Sequence, residues 1–193
     1  MSHVSLLRAI RAHFALSQAE LATGLGLSRA LLASVESGRE QLPRHARPWL
    51  RAWEAALAAA PPEELPAPAP SLPAVPTTGP AAVLARLAEC DYQARRLGQQ
   101  LARLQASHRT ARRRLAAGPL LLAALPPPIP TPEPEALTRR RRWLARLLEA
   151  ATDALLPEHP TGPQAVALLA ARRRAWLHEA GLLLAYLRGE ELE

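Results

Sequence analysis

Along most of this chain apolar residues recur at spacings of three and four, the period of helices with one buried face. Near the start, Leu7, Ile10 and Phe14 fall on one side of a helix predicted over Val4–Leu16. A second helix is predicted to open at Ser17, an N-cap residue with the acid of a reciprocal capping box, Glu20, three positions on. It buries Leu21 and Ala22. Gly24 and Gly26 flank the turn that follows, where glycine permits positive φ and close approach between helices. Ser28 supplies the next N-cap, for a third helix that buries Leu32 and Val35 and ends near Gly38. A fourth begins at Pro48, tolerated in a first turn, and buries Trp49, Leu50, Trp53 and Leu57.

After Ala60 the pattern stops, and eight prolines fall in the twenty residues 61–80. Proline removes the backbone donor and fixes φ, so this stretch reads as an extended spacer. Proline clusters at Pro126–Pro134 and Pro157–Pro163 divide the rest into three helical segments. The first, Ala81–Ala117, carries the stripe Leu84, Leu87, Ala94, Leu97, Leu101 and Leu104. The second, Glu135–Leu156, carries Leu137, Trp143, Leu144, Leu147, Leu148, Ala151 and Leu155. The third, Gln164–Leu187, carries Val166, Leu169, Trp176, Ala180, Leu183 and Leu187. A narrow stripe must be buried against a partner. The simplest arrangement folds the three on one another as an antiparallel hairpin or bundle, although the same stripes could pair two chains. The chain is therefore expected to be all-α. It would have a four-helix head over 1–60, a Pro-rich linker over 61–80, and a coiled-coil-like region over 81–193 for oligomerisation or partner binding.

Composition sharpens this picture. With 20 prolines and seven aromatic residues in 193, the cores must be built mostly from leucine and alanine. Lysine does not occur, so arginine carries the formal net charge of +7. That sign favours a polyanionic partner, because neutralising phosphates releases counterions. Codon composition is an equal explanation of the same bias. The arginine runs Arg112–Arg114, Arg139–Arg142 and Arg172–Arg174 are expected to be solvated helix faces, with auxiliary phosphate contact as the alternative. The lone Cys90 cannot form an internal disulfide, and Asp91 beside it discourages a thiolate, so a reducing, cytoplasmic setting is expected. The longest apolar run, Leu115–Leu125, contains Gly118 and Pro119 and is too short for a membrane span. His108, His159 and His178 lack metal-ligand spacing and read as surface residues. There is no glycine-rich phosphate cradle, no nucleophile with a base and no serine-lysine pair. Neither catalysis, nor a metal, nor a cofactor is expected.

The stretch LSQAELATGLGLSRALLASVESGR resembles the Cro and phage-repressor type of helix-turn-helix, within a match running from about Leu7 to Leu57. The resemblance implies a small helical DNA-binding head. It places Gln18 against a backbone phosphate, with the hydroxyl and amide of Ser17 on the same strand. Arg29, Ala30, Ala33 and Ser34 correspond to positions facing base edges in the major groove, and Ser28, at the start of that helix, joins the DNA-facing set. Ser37 and Arg39 correspond to the loop that returns to phosphate, and Arg44 to a basic residue near the minor groove. Arg11 and Glu36 correspond to a structural ion pair.

Departures from the family pattern limit what one head could read. Only Arg29 can make a bidentate contact to guanine, while Ala30 and Ala33 can at most touch a thymine methyl. One such contact discriminates by about 1–3 kcal/mol, so two heads would be needed. The dimerising fifth helix often found in the family has no room before Pro61. The expectation is a duplex-DNA-binding transcriptional regulator that touches no membrane and whose pairing as a homodimer falls to its tail or is absent. If two chains pair there, the half-sites would lie one DNA turn apart, roughly 34 Å. The rivals are a scaffold protein whose repressor-like head does not read DNA, and a chain that binds nucleic acid chiefly through the arginines of its first tail helix.

Overall fold

The computed structural model describes residues 3–60, 77–127 and 133–190. Those residues form an all-helical protein: α1 (His3–Phe14), α2 (Gln18–Leu25), α3 (Arg29–Glu36), α4 (Arg47–Ala58), α5 (Ala81–Ala123), α6 (Glu135–Asp153) and α7 (Pro163–Leu187). A 3-10 turn, Arg44–Ala46, leads into α4. Most of the expected linker, residues 61–76, and residues 128–132 of the second proline cluster lie outside the described residues. The chain divides into two compact units, one of Met1–Pro62 with His108–Ala154, the other of Glu63–Ser107 with Leu155–Glu193. Helix α5 contributes to both.

In the first unit, local chemistry sets the helix boundaries. Ser17 Oγ accepts from the Glu20 amide at 3.2 Å while the Ser17 amide donates to Glu20 Oε2 at 2.7 Å, closing the capping box of α2. Ser28 Oγ accepts from the Leu31 amide at 3.2 Å and starts α3. The first three helices end alike, with Ala15, Gly26 and Gly38 in the left-handed region. Beyond each, the next amide reaches back to a carbonyl of the last turn: Leu16 to Arg11, Leu27 to Ala22 and Arg39 to Ser34, all at 2.8–2.9 Å. Leu7, Ile10, Phe14, Leu21, Leu25, Leu32 and Val35 are fully buried inside. Phe14 meets Trp53 of α4 edge to face, with centroids 5.1 Å apart.

That core does not close on four helices. Ala117, Leu121 and Leu125 from the end of α5, and Leu144 and Leu147 from α6, belong to the same buried cluster. Helix α6 lies along α2, with the Trp143 ring where a side chain at Gly24 would stand: a Cβ there would be 2.8 Å from Trp143 Cζ3. The expected stacking of the three tail segments on one another is thus corrected for α6, which packs on the head as well as on the end of α5. The stripe of α6 is buried against the head, whose α2–α4 seam is itself apolar. The expected end of the first tail helix at Ala117 is also corrected, because α5 runs on through Gly118 and Pro119 to Ala123. An internal proline costs about 3 kcal/mol. Burial of Leu121 and Leu125, and the close seat of Leu148 on Gly118, offset it. Helix α6 ends at Asp153, leaving Leu155 beyond it.

The second unit is an antiparallel pairing of α5 with α7, in which Arg86 meets Glu179 and Arg173 Nε donates to the Ala94 carbonyl at 3.3 Å. Its core is small: Leu87, Cys90, Ala180 and Leu184, flanked by Trp176, Leu183 and Leu187. Arg86 also stands over the Trp176 ring, 5.0 Å from its centroid. Tyr92, Leu168, Leu182 and Tyr186 remain exposed.

Candidate nucleic-acid interface

Helix α3 turns Leu32 and Val35 inward, and the same period turns Arg29, Ala30 and, just past its end, Ser37 outward, where all three are exposed. Ala33 and Ser34 lie at the margin of that face, half-buried. Ser28 is exposed at its start, with Oγ occupied as an acceptor by the cap. Arg39, Arg44 and Arg47 are exposed in the segment after α3. Arg29, Arg39 and Arg44 make no ion pair among the described residues. The face is therefore cationic, with short side chains between the arginines.

The phosphate-facing roles implied for α2 meet competition from within the protein. The Ser17 amide is taken by Glu20, so the suggestion that it serves phosphate is corrected, and only the hydroxyl hydrogen remains to donate. Gln18 Nε2 donates to Glu36 Oε2 at 2.8 Å, which leaves one of its two N–H groups for a second acceptor. Ser37 Oγ donates to the Ser34 carbonyl at 2.9 Å, and the Arg39 amide is held by Ser34 as well, so Arg39 reaches outward with its side chain alone.

Glu36 is the hub beneath this surface, 4% exposed. Its carboxylate accepts from Arg11 Nη1 at 3.0 and 3.2 Å and from Gln18. Its carbonyl accepts from Arg8 Nη2 at 2.9 Å. Helices α1, α2 and α3 are thereby tied at one point. The direction in which α3 presents Arg29 follows from that tie.

Several residues of this framework are not singled out by periodicity. Arg8 is one. Arg113 donates to the His13 carbonyl at 2.9 Å, and Arg114 donates to Phe14 and Ala15 at 3.0 and 2.9 Å, closing the end of α1 next to the α2 cap. Arg140 closes the end of α2 through Gly24, and Arg141 bonds Glu133 and the Pro126 carbonyl. Cations suit helix C-termini because the last carbonyls have no partner inside the helix. The arginine runs are accordingly not uniformly solvated faces. Arg113, Arg114, Arg140, Arg141 and Arg173 work inside the protein, whereas Arg112, Arg139, Arg142, Arg172 and Arg174 are exposed. The one signal for this in the sequence is that each run is longer than a single solvated face of a helix requires.

His108 is also corrected, since it is buried on the inner side of α5 and not at the surface. His159 is half-buried, its Nδ1 2.9 Å from Thr161 Oγ1, and His178 is exposed. The Cys90 thiol is pushed up first by burial and then by the charge of Glu179. No helix among the described residues is long and apolar enough to cross a membrane. No family model, no curated protein and no solved structure matches this chain.

Proposed function

We propose that this protein is a sequence-specific duplex-DNA-binding transcriptional regulator that reads the major groove with α3. The observation that carries the reading is the outward face of that helix. Arg29, Ala30 and Ser37 are exposed beside exposed Arg39 and Arg44, and the Arg8–Arg11–Gln18–Glu36 network holds the helix rigidly. A flat, cationic helix with alanines between its polar groups suits a groove, because small side chains let the backbone approach the base edges. The exposed apolar side chains of α7 further support pairing of two chains, which would present two heads to two half-sites.

The test is an anisotropy titration of the full chain with duplexes enriched from a random pool. Arg29→Ala is expected to weaken the preferred duplex by about 1–3 kcal/mol and to relax one base position. Arg39→Ala and Arg44→Ala should weaken all duplexes alike and lower the salt dependence by about one unit each. An unenriched pool, with no salt-dependent binding, would end this reading. The engagement of the Ser17 amide and of Gln18 within the protein favours the scaffold alternative, which that outcome would select.

A further inference from the structure

We infer that the second unit carries a binding surface for single-stranded nucleic acid, in which Tyr92 of α5 stacks a base while Arg95, Arg96 and Arg103 hold phosphates. The surface shares no residue with α3, so it goes beyond the duplex reading and does not depend on it. Tyr92, Arg95, Arg96 and Gln99 fall at i, i+3, i+4 and i+7, on one face of α5. All four are exposed, Tyr92 by 56%, and together they line an open concavity of about 340 Å³. Arg103, also exposed, continues that face two turns beyond Arg96, about 10 Å along the helix axis.

These side chains are left free to meet a ligand. Tyr92, Arg96, Gln99 and Arg103 make no hydrogen bond or ion pair among the described residues. Two carboxylates stand on the same stretch of α5, and both are engaged: Asp91 accepts from Arg95, and Glu89 accepts from Gln93 at 2.7 Å. Helix α7 adds charge of the same sign. Arg173 Nε donates to the Ala94 carbonyl and seats that turn of α7 on α5, while Arg172 and Arg174 on either side of it are exposed and unpaired among the described residues. A polyanion complements such a surface. Arginines alone would suit a duplex or an acidic peptide equally. An exposed aromatic ring and a free amide beside them favour a single strand, because only unstacked bases offer a face to stack on and edges to hydrogen-bond. The concavity lies at the low end of the roughly 300–1,000 Å³ of ligand sites, which gives room for one base, with the backbone running along α5 to Arg103.

The test is a fluorescence-anisotropy titration of the full chain against a labelled oligothymidylate over a range of salt. Tyr92→Ala should weaken binding roughly 5- to 150-fold, the contribution of one stacked base, and leave the salt slope unchanged. Arg96→Gln combined with Arg103→Gln should lower that slope by about 1.4, or about 0.7 for each phosphate contact. Both variants alter exposed side chains only, and circular dichroism should show unchanged helix content. Arg29→Ala should leave the single strand bound as before, and Tyr92→Ala should leave the preferred duplex bound as before, so either reading can fail without the other. The inference is overturned if the full chain does not bind the strand at low salt, if Tyr92→Ala binds it as tightly as the wild type, or if polyglutamate binds as tightly as the strand.

Discussion

Glu36 is buried with its carboxylate oxygens met by Arg11 and Gln18, and the same side chains decide what α2 has left to offer a ligand. Glu20 shows the opposite case, a carboxylate near the surface whose work is local. Burial raises its pKa, but the hydrogen bonds with Ser17 and the charge of Arg114 outweigh that and hold it below the ordinary carboxyl value. The stability it adds is present above its unfolded pKa and is lost as pH falls through the lowered folded value. Glu20→Gln should therefore cost about 0.3–1 kcal/mol in urea unfolding at neutral pH, the usual worth of an acid in a first helical turn. In acid the variant and the wild type should converge. A constant difference across the range would mean that the ionised box contributes nothing. The Ser17–Glu20 pair is legible in sequence because both partners sit within one turn. The partners of Glu36 lie 18 and 25 residues away, and spacing cannot name them.

At the scale of elements, the head is completed by side chains of α5 and α6 that lie fifty residues and more beyond it. Leu121, Leu125, Leu144 and Leu147 fill its core, and Arg113, Arg114 and Arg140 close the ends of α1 and α2. A core of about 60 residues rarely supplies more than about 3–5 kcal/mol alone. Losing the packing of even one buried leucine costs about 2–5 kcal/mol. A fragment ending at Ala60 is thus expected to show no cooperative thermal transition by circular dichroism, whereas the full chain should melt cooperatively. A cooperative melt of the fragment near the Tm of the full chain would show that α5 and α6 are dispensable. The stripe of α6 announces a buried face without saying what covers it. Only the apolar α2–α4 seam decides that, with Gly24 allowing Trp143 to come close.

At the scale of the molecule, two features remain: charge and uncovered apolar surface. The excess of arginine is partly consumed within the protein as donors to carbonyl oxygens, so the net charge of +7 overstates what is free to meet a polyanion. In the second unit, Leu168, Ala171, Ala175, Leu182 and Tyr186 share one exposed face of α7, at spacings of three, four and seven. Leu168 is 61% exposed and Tyr186 52%, next to a core of only four buried residues. Small residues in the middle of the stripe and large ones at its ends suit a two-fold antiparallel contact, in which Leu182 of one chain faces Ala171 of the other. Light scattering after size exclusion should give a dimer for the full chain, and Leu182→Glu should give a monomer of unchanged helix content. A monomeric wild type at micromolar concentrations would remove the pairing from the proposal.

The order of helices, the serine caps of α2 and α3 and the inward faces of α1 to α3 were settled by sequence alone, because each depends on neighbours within a turn or two. Left-handed ends at Gly26 and Gly38 belong with them. On α4 the expected Trp49 and Leu57 are only half-buried, and Ala56 is buried instead. The destinations of α6 and α7, the division of α5 between two units, the continuation of that helix past Pro119 and the internal work of the arginine runs were decided only by tertiary structure. A hydrophobic stripe states that water must be excluded but carries no address for its partner. A guanidinium finds its carbonyl only after the helices have met.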